Sequence, residues 1–245
     1  MIYNLALVLS SEYNFLSLFK YITFRAAAAF TTSILVCFIT GPFIIKVLKK
    51  KQKKGQPIRK DGPKWQIEAK KGTPTMGGAM ILFSLILSTL LWTDILNIFI
   101  WLLLFITVSF GCIGFIDDYL KLTRYSHKGM SGLVKLLLQF TFSFLFALSL
   151  FYFSNQDYSF LTFPIFKNII INLGYFWFIF SMLVIVGSSN AVNLTDGLDG
   201  LAIVPIIIVT GTLAIISYFV GNSIFSDYLN LKYIKGMGEV SIFCA

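Results

Sequence analysis

Residues 96–121 read LNIFIWLLLFITVSFGCIGFIDDYLK, and this stretch decides the fold. From Leu96 to Ile116 there is no charged side chain; Asp117 and Asp118 then arrive together, with Lys121 one turn beyond. A helix rises about 1.5 Å per residue and needs about 20 mostly apolar residues to cross a bilayer. The stretch therefore reads as a transmembrane helix whose carboxylates sit where apolar sequence gives way to polar. The same length criterion is met at 21–45, 75–93, 132–153, 169–187 and 200–220, and a further apolar run begins near Val240. The expected fold is an all-α polytopic membrane protein with six complete transmembrane helices plus the start of a seventh. Residues 1–245 then form a single transmembrane domain, incomplete at the C-terminus.

Composition supports that class. The 245 residues are 57% hydrophobic and only 13% charged, whereas a soluble domain carries about 25% charged residues. Phenylalanine contributes 26 positions, too many for the core of a soluble domain of this length. The three cysteines, Cys37, Cys112 and Cys244, are isolated and apolar in context, so neither a disulfide framework nor a zinc site is expected. The opening MIYNLALVLSSEYN has no basic n-region and reads as a retained extracytoplasmic leader rather than a cleaved signal.

A net charge of +9 in a soluble chain would suggest nucleic acid. Here the charge is distributed by topology. Eleven basic residues lie between Lys46 and Lys71, and Lys121, Arg124, Lys128 and Lys135 follow the third span. Fifteen of the 20 basic residues thus fall in two connections, both after odd-numbered helices. Even-numbered connections hold only Lys167, Lys232 and Lys235. Basic loops stay inside, so the N-terminus is expected outside and the odd connections in the cytoplasm. No nucleic-acid partner follows, but the 46–71 stretch suits anionic membrane lipids, at about 1 kcal/mol per basic residue near the surface.

Three motifs could carry chemistry. Carboxylates at membrane depth are costly and mark function, and two adjacent ones repel unless a cation or proton lies between them. Asp117 and Asp118 therefore suit a hard cation such as Mg²⁺; the blander reading is a helix end whose charge Lys121 offsets at i+3/i+4. In SSNAVNLTDGLDGLA, Asn190, Asn193, Asp196 and Asp199 recur every three residues, so on a helix they form a slowly drifting polar stripe. Capping accounts for one or two such residues, not four in register. In KKGTPTMGG, Lys70, Lys71, Thr73 and Thr75 could meet phosphate oxygens, although the pattern is not a P-loop and serves equally as a turn before a helix. His127, the single histidine, lies in a polar loop and reads as solvated. All three motifs fall on the cytoplasmic side. Metal-binding acids, orienting amides and phosphate-neutralising lysines together suit phosphoryl transfer to a lipid acceptor.

GTPTMGG, FIDDYLK, the following Lys128–Gly129 and NAVNLTDGLDGLA occur in one order and spacing that closely resembles the phospho-N-acetylmuramoyl-pentapeptide-transferase family. That family is a branch of the polyprenyl-phosphate N-acetylhexosamine-1-phosphate transferase superfamily. The resemblance runs from about Phe24 to Ala245. It implies Mg²⁺-dependent transfer of phospho-MurNAc-pentapeptide from UDP-MurNAc-pentapeptide to undecaprenyl phosphate, giving lipid I and UMP at a bacterial inner membrane. It implies catalytic roles for Asp117, Asp118 and Asp196, the first two also as metal ligands. Lys70, Thr75, Lys121, Lys135, Asn190, Asn193 and Asp199 match substrate-binding positions, and the membrane partner set admits a homodimer. Family members continue past GEVSIFCA into helices with a metal-binding aspartate and a histidine loop, so this polypeptide alone is expected to be inactive. A related UDP-HexNAc transferase is the first alternative, which a substrate panel separates. An ion-coupled transporter is the second, but it would need acids at helix midpoints rather than at one face.

Overall fold

A computed structural model describes residues 1–52, 72–124, 129–153, 159–162, 170–196 and 200–245. The principal helices follow the apolar runs: α2 Ile22–Lys51, α3 Gly78–Trp92, α4 Ile98–Thr123, α5 Gly132–Phe153, α6 Phe176–Thr195 and α7 Ile203–Val220. A short α1 (Ile2–Leu9) and a 3-10 helix (Asn14–Lys20) precede them, and α8 (Ser223–Tyr228) and α9 (Gly238–Cys244) follow. Five of these helices are long and apolar enough to cross a membrane. The expected second span is the exception: α3 has 15 residues, about 22 Å at the α-helical rise. Two three-residue strands, β1 (Phe160–Thr162) and β2 (Ile170–Asn172), pair antiparallel with Leu161 opposite Ile171.

The fifth span requires correction. It was expected at 169–187 and is found at Phe176–Thr195. Ile170 and Ile171 look like its start but belong to β2, and a turn separates them from α6. Within that turn Gly174 takes a positive φ of 49°, and the Asn172 side chain accepts a bond from the Gly174 N–H at 2.9 Å. At its other end α6 runs on through Asn190 and Asn193 to its C-cap at Asp196, so the first two residues of the polar series lie on this helix, past the 188 at which the connection was expected to begin.

Small residues let the helices approach. On α3, Ser84, Ser88 and Thr89 are buried, and the Ser84 and Ser88 hydroxyls donate to carbonyls three residues back on their own helix. Hydroxyls satisfied in this way cost little in an apolar interface, and their size permits close packing. Cys37 Sγ of α2 meets Ser84 Oγ at 2.9 Å, and Trp92 Nε1 donates to Thr32 Oγ1 at 2.9 Å. Gly111 of α4 has Leu82 against the position a Cβ would take. The outward faces are apolar instead: Phe38 and Ile39 are each 75% exposed, a surface suited to lipid chains and not to water.

The end of the bundle that carries the α2 N-terminus is locked by a buried ion pair that the sequence did not announce. Arg25, 2% exposed, faces Glu239 of α9 through two bonds, Nη1 to Oε2 at 2.8 Å and Nη2 to Oε1 at 2.6 Å. Nη1 also donates to Trp92 O at 3.2 Å, and the Asp94 N–H donates to Glu239 Oε2 at 2.9 Å. The Tyr3 ring of α1 lies 3.8 Å from the guanidinium carbon. Burial raises the Tyr3 phenol above its ordinary value, with Arg25 drawing it the other way, so the ring meets the cation in its neutral form. Phe19 stacks on Trp92 with centroids 5.7 Å apart and completes the lid on this cluster.

Candidate active site

The opposite end gathers the polar residues. There α2 and α4 terminate, α3 and α5 begin, and α6 finishes. The apolar run of α4 carries its helix past the acid pair to Thr123, so Asp117 and Asp118 are held by helical geometry. They cannot share one face, since successive residues turn by about 100°, yet Lys121 reaches both. Its Nζ lies 2.7 Å from Asp117 Oδ2 and 3.1 Å from Asp118 Oδ1. The two remaining oxygens turn to different neighbours. Asp117 Oδ1 accepts from the Met130 N–H at 2.7 Å, and Asp118 Oδ2 accepts from Thr75 Oγ1 at 2.9 Å. Gly129 allows the first of these, because a Cβ there would strike the Asp117 carboxylate.

Thr75 is itself fixed. Its N–H donates to Gln52 Oε1 at 2.9 Å, and its carbonyl accepts from Gln52 Nε2 at 3.2 Å. A glutamine at the C-cap of α2 thus reads the backbone of the GTPTMGG turn as a strand neighbour would. Met76, next in that turn, holds a left-handed φ of 73°, uncommon for a non-glycine residue and typical of strained turns near functional sites.

Met76, Asp117, Asp118, Lys121, Gly129 and Met130 line a cleft of about 1660 Å³. Arg124, Lys135 and Asn193 share its polar end with Asp117, Asp118 and Lys121, while Phe83, Ile86 and Val108 of α3 and α4 line its apolar extension. Asn190 is placed one turn before Asn193, where its Nδ2 donates to Gln139 Oε1 at 2.8 Å and to Val186 O at 2.9 Å. Asp196 is exposed at the C-cap of α6 and is not among the cleft-lining residues. Lys70, His127, Lys128 and Asp199 lie outside the described residues. Gln52, Arg124 and Gln139 were not singled out from the sequence as site residues. Arg124 was legible only as one more topological charge, and a lone Gln in a transmembrane helix was the signal available for Gln139.

Among the described residues no group of three His, Cys, Asp or Glu side chains is placed to hold a metal. A magnesium ion does not require one: it uses one or two carboxylates plus substrate phosphates and keeps several waters. The adjacent acids fit that donor set. Among the described residues each of their four oxygens accepts a single contact, and an ionised carboxylate oxygen has a further lone pair.

Residues 100–236 match the glycosyl transferase family 4 profile. Over all 245 residues the chain is 52% identical to the phospho-N-acetylmuramoyl-pentapeptide-transferase of Rickettsia montanensis and covers 68% of that protein. The proteins of the same name from Rickettsia felis and Rickettsia canadensis are each 51% identical over the same 245 residues, again with 68% covered. The chain belongs to the phospho-N-acetylmuramoyl-pentapeptide-transferase family. Its enzyme type is accordingly that of a glycosyl-phosphate transferase, and as a family member it is a multi-pass membrane protein. The family motifs GTPTMGG and FIDDYLK are those that meet through the Thr75–Asp118 bond.

Proposed function

We propose that this chain's site belongs to an enzyme that transfers phospho-MurNAc-pentapeptide from UDP-MurNAc-pentapeptide to undecaprenyl phosphate, releasing UMP and forming lipid I. The reaction takes place at the cytoplasmic face of a bacterial inner membrane, in peptidoglycan synthesis, with Mg²⁺ as cofactor. One observation carries this reading: the α2–α3 connection, the end of α4 and the α4–α5 connection form a continuous polar bridge, Gln52–Thr75–Asp118–Lys121–Asp117–Met130, at one end of an apolar bundle. A polar head on an apolar trough is the shape a lipid phosphate requires.

In this reaction an oxygen of the lipid phosphate attacks the sugar-linked phosphorus of the donor. The bond from that phosphorus to the bridging oxygen breaks, and UMP leaves with the electron pair. Asp117 and Asp118 would hold Mg²⁺, which supplies neutralisation of the diphosphate charge. Lys121 bridges the two carboxylates and offsets part of their charge until substrate arrives. Arg124 and Lys135 face the same cleft and offer phosphate-binding charge; a guanidinium can grip two phosphate oxygens at once. Thr75 orients Asp118 through its hydroxyl, and Asn193 offers amide contacts to the donor sugar or nucleoside.

The test is UMP release from UDP-MurNAc-pentapeptide and undecaprenyl phosphate by membranes containing only this chain, with Mg²⁺. Release that Asp117→Asn abolishes supports the proposal. Release unaffected by Asp117→Asn, or transfer of a different UDP-sugar in its place, overturns it.

A further inference from the structure

Gln139 is 3% exposed in a helix, GLVKLLLQFTFSFLFALSLFYF, that is otherwise almost wholly apolar after Lys135. A buried amide at membrane depth is retained only where it finds partners. The partner here is Asn190 on the neighbouring helix α6. Asn190 Nδ2 has two protons, and both are committed: one to Gln139 Oε1 at 2.8 Å, the other to its own helix at Val186 O, 2.9 Å. The amide nitrogen of Asn190 is therefore unavailable to a substrate, and the side chain works as a tether. Residues three and four further along, Asn193 and Leu194, lie on the same face of α6 and line the cleft that holds Asp117 and Asp118. A helix turns about 100° per residue, so a modest rotation of α6 would carry Asn193 out of that cleft.

We infer that Gln139 is a positioning residue: by holding Asn190 it sets the rotation of α6 about its axis and so keeps Asn193 facing the donor substrate. The inference rests on the transferase reading above and assigns Asn190 the role of an intermediate link rather than a direct substrate ligand. Simple interhelical adhesion is the competing role, and the two differ in what they move. Adhesion changes stability. Positioning changes donor affinity in the folded protein.

The full chain would be reconstituted in lipid nanodiscs as wild type, Gln139→Met, Asn190→Leu and the double variant. Binding of UDP-MurNAc-pentapeptide would be followed by calorimetry and thermal stability by intrinsic tryptophan fluorescence. Gln139→Met keeps length and apolar volume but removes the acceptor, leaving one buried donor unsatisfied, an effect of about five- to thirtyfold in an equilibrium constant. The expected result is a loss of donor affinity in that range for each single variant. The double variant should be no weaker than the weaker single, because both changes cut one link. Wild-type affinity in Gln139→Met, with or without a lower melting temperature, overturns the inference and leaves the transferase reading standing. Multiplying losses in the double variant also overturn it, since they would give Asn190 its own substrate contact. A wild-type chain that binds no UDP-MurNAc-pentapeptide brings down the transferase reading, and this inference with it.

Discussion

Replacing Glu239 by alanine tests the packing account most directly. The carboxylate accepts three bonds, two from Arg25 and one from the Asp94 N–H. Arg25 is 2% exposed and cannot reach water without moving α1 or Trp92, both of which cover it. Removing one partner of a buried pair costs about 3–5 kcal/mol, because the other charge is left without compensation. For a chain of 150–250 residues each kcal/mol lowers the melting temperature by about 2–4 °C, so Glu239→Ala should melt roughly 6–20 °C below wild type. The measurement is a thermal unfolding curve in one detergent at one protein concentration. The pair itself is not expected to be worth that much, since replacing both partners with apolar residues of similar size is often close to neutral. The double variant Arg25→Met/Glu239→Met should therefore melt above Glu239→Ala. A Glu239→Ala protein that melts within about 2 °C of wild type would refute the burial argument. A double variant less stable than the single would refute the charge argument.

Three further outcomes follow from the site and its supports. Gly129→Ala should lower UMP release about tenfold, near 1.4 kcal/mol of barrier, by pushing Asp117 off the Met130 N–H; unchanged release would show that this bond is idle. Thr75→Val should reduce turnover about five- to tenfold through the lost bond to Asp118 while Thr75→Ser stays near wild type, so equal losses in both would assign the effect to shape and not to the hydroxyl. Gly111→Val should destabilise by about 1–3 kcal/mol through overpacking against Leu82, and Leu82→Ala in the same chain should recover part of that loss in thermal unfolding.

The apolar runs made the helices legible, because lipid demands length and an internally satisfied backbone. Their ends were less legible. Ile170 and Ile171 add apolar character as well to a strand as to a helix, and only Asn172 and Gly174 hint at the turn between them. At the far end of α6 the polar residues did not stop the helix. Asn190 bonds back to Val186 O and Thr195 bonds back to Ala191 O, so side chains that favour caps elsewhere support the helix here. Within the site, Asp117, Asp118, Thr75 and Lys121 were readable because each motif marks its own place. The bonds between motifs were not readable, since Thr75 and Asp118 lie 43 residues apart and nothing local couples them. Arg25 and Glu239, 214 residues apart, left no trace in either neighbourhood.

Where α7 ends, Gly221 touches the backbone of Gly238 so closely that a Cβ would overlap its nitrogen and Cα, and a Cβ on Gly238 would meet Ile22. The Ile234 N–H donates to Val220 O at 3.0 Å beside this contact, so residues 222–237 form a loop drawn shut at its neck. In a randomised library Gly221, which faces backbone, should therefore stand out as an invariant column, while a Cβ on Gly238 would clash only with the movable end of Ile22. Between the two glycines Tyr228, 83% exposed, should accept substitutions freely. That contrast makes the loop an attachment point for a fluorophore or a small epitope that leaves the bundle undisturbed, on the side of the molecule away from the carboxylates.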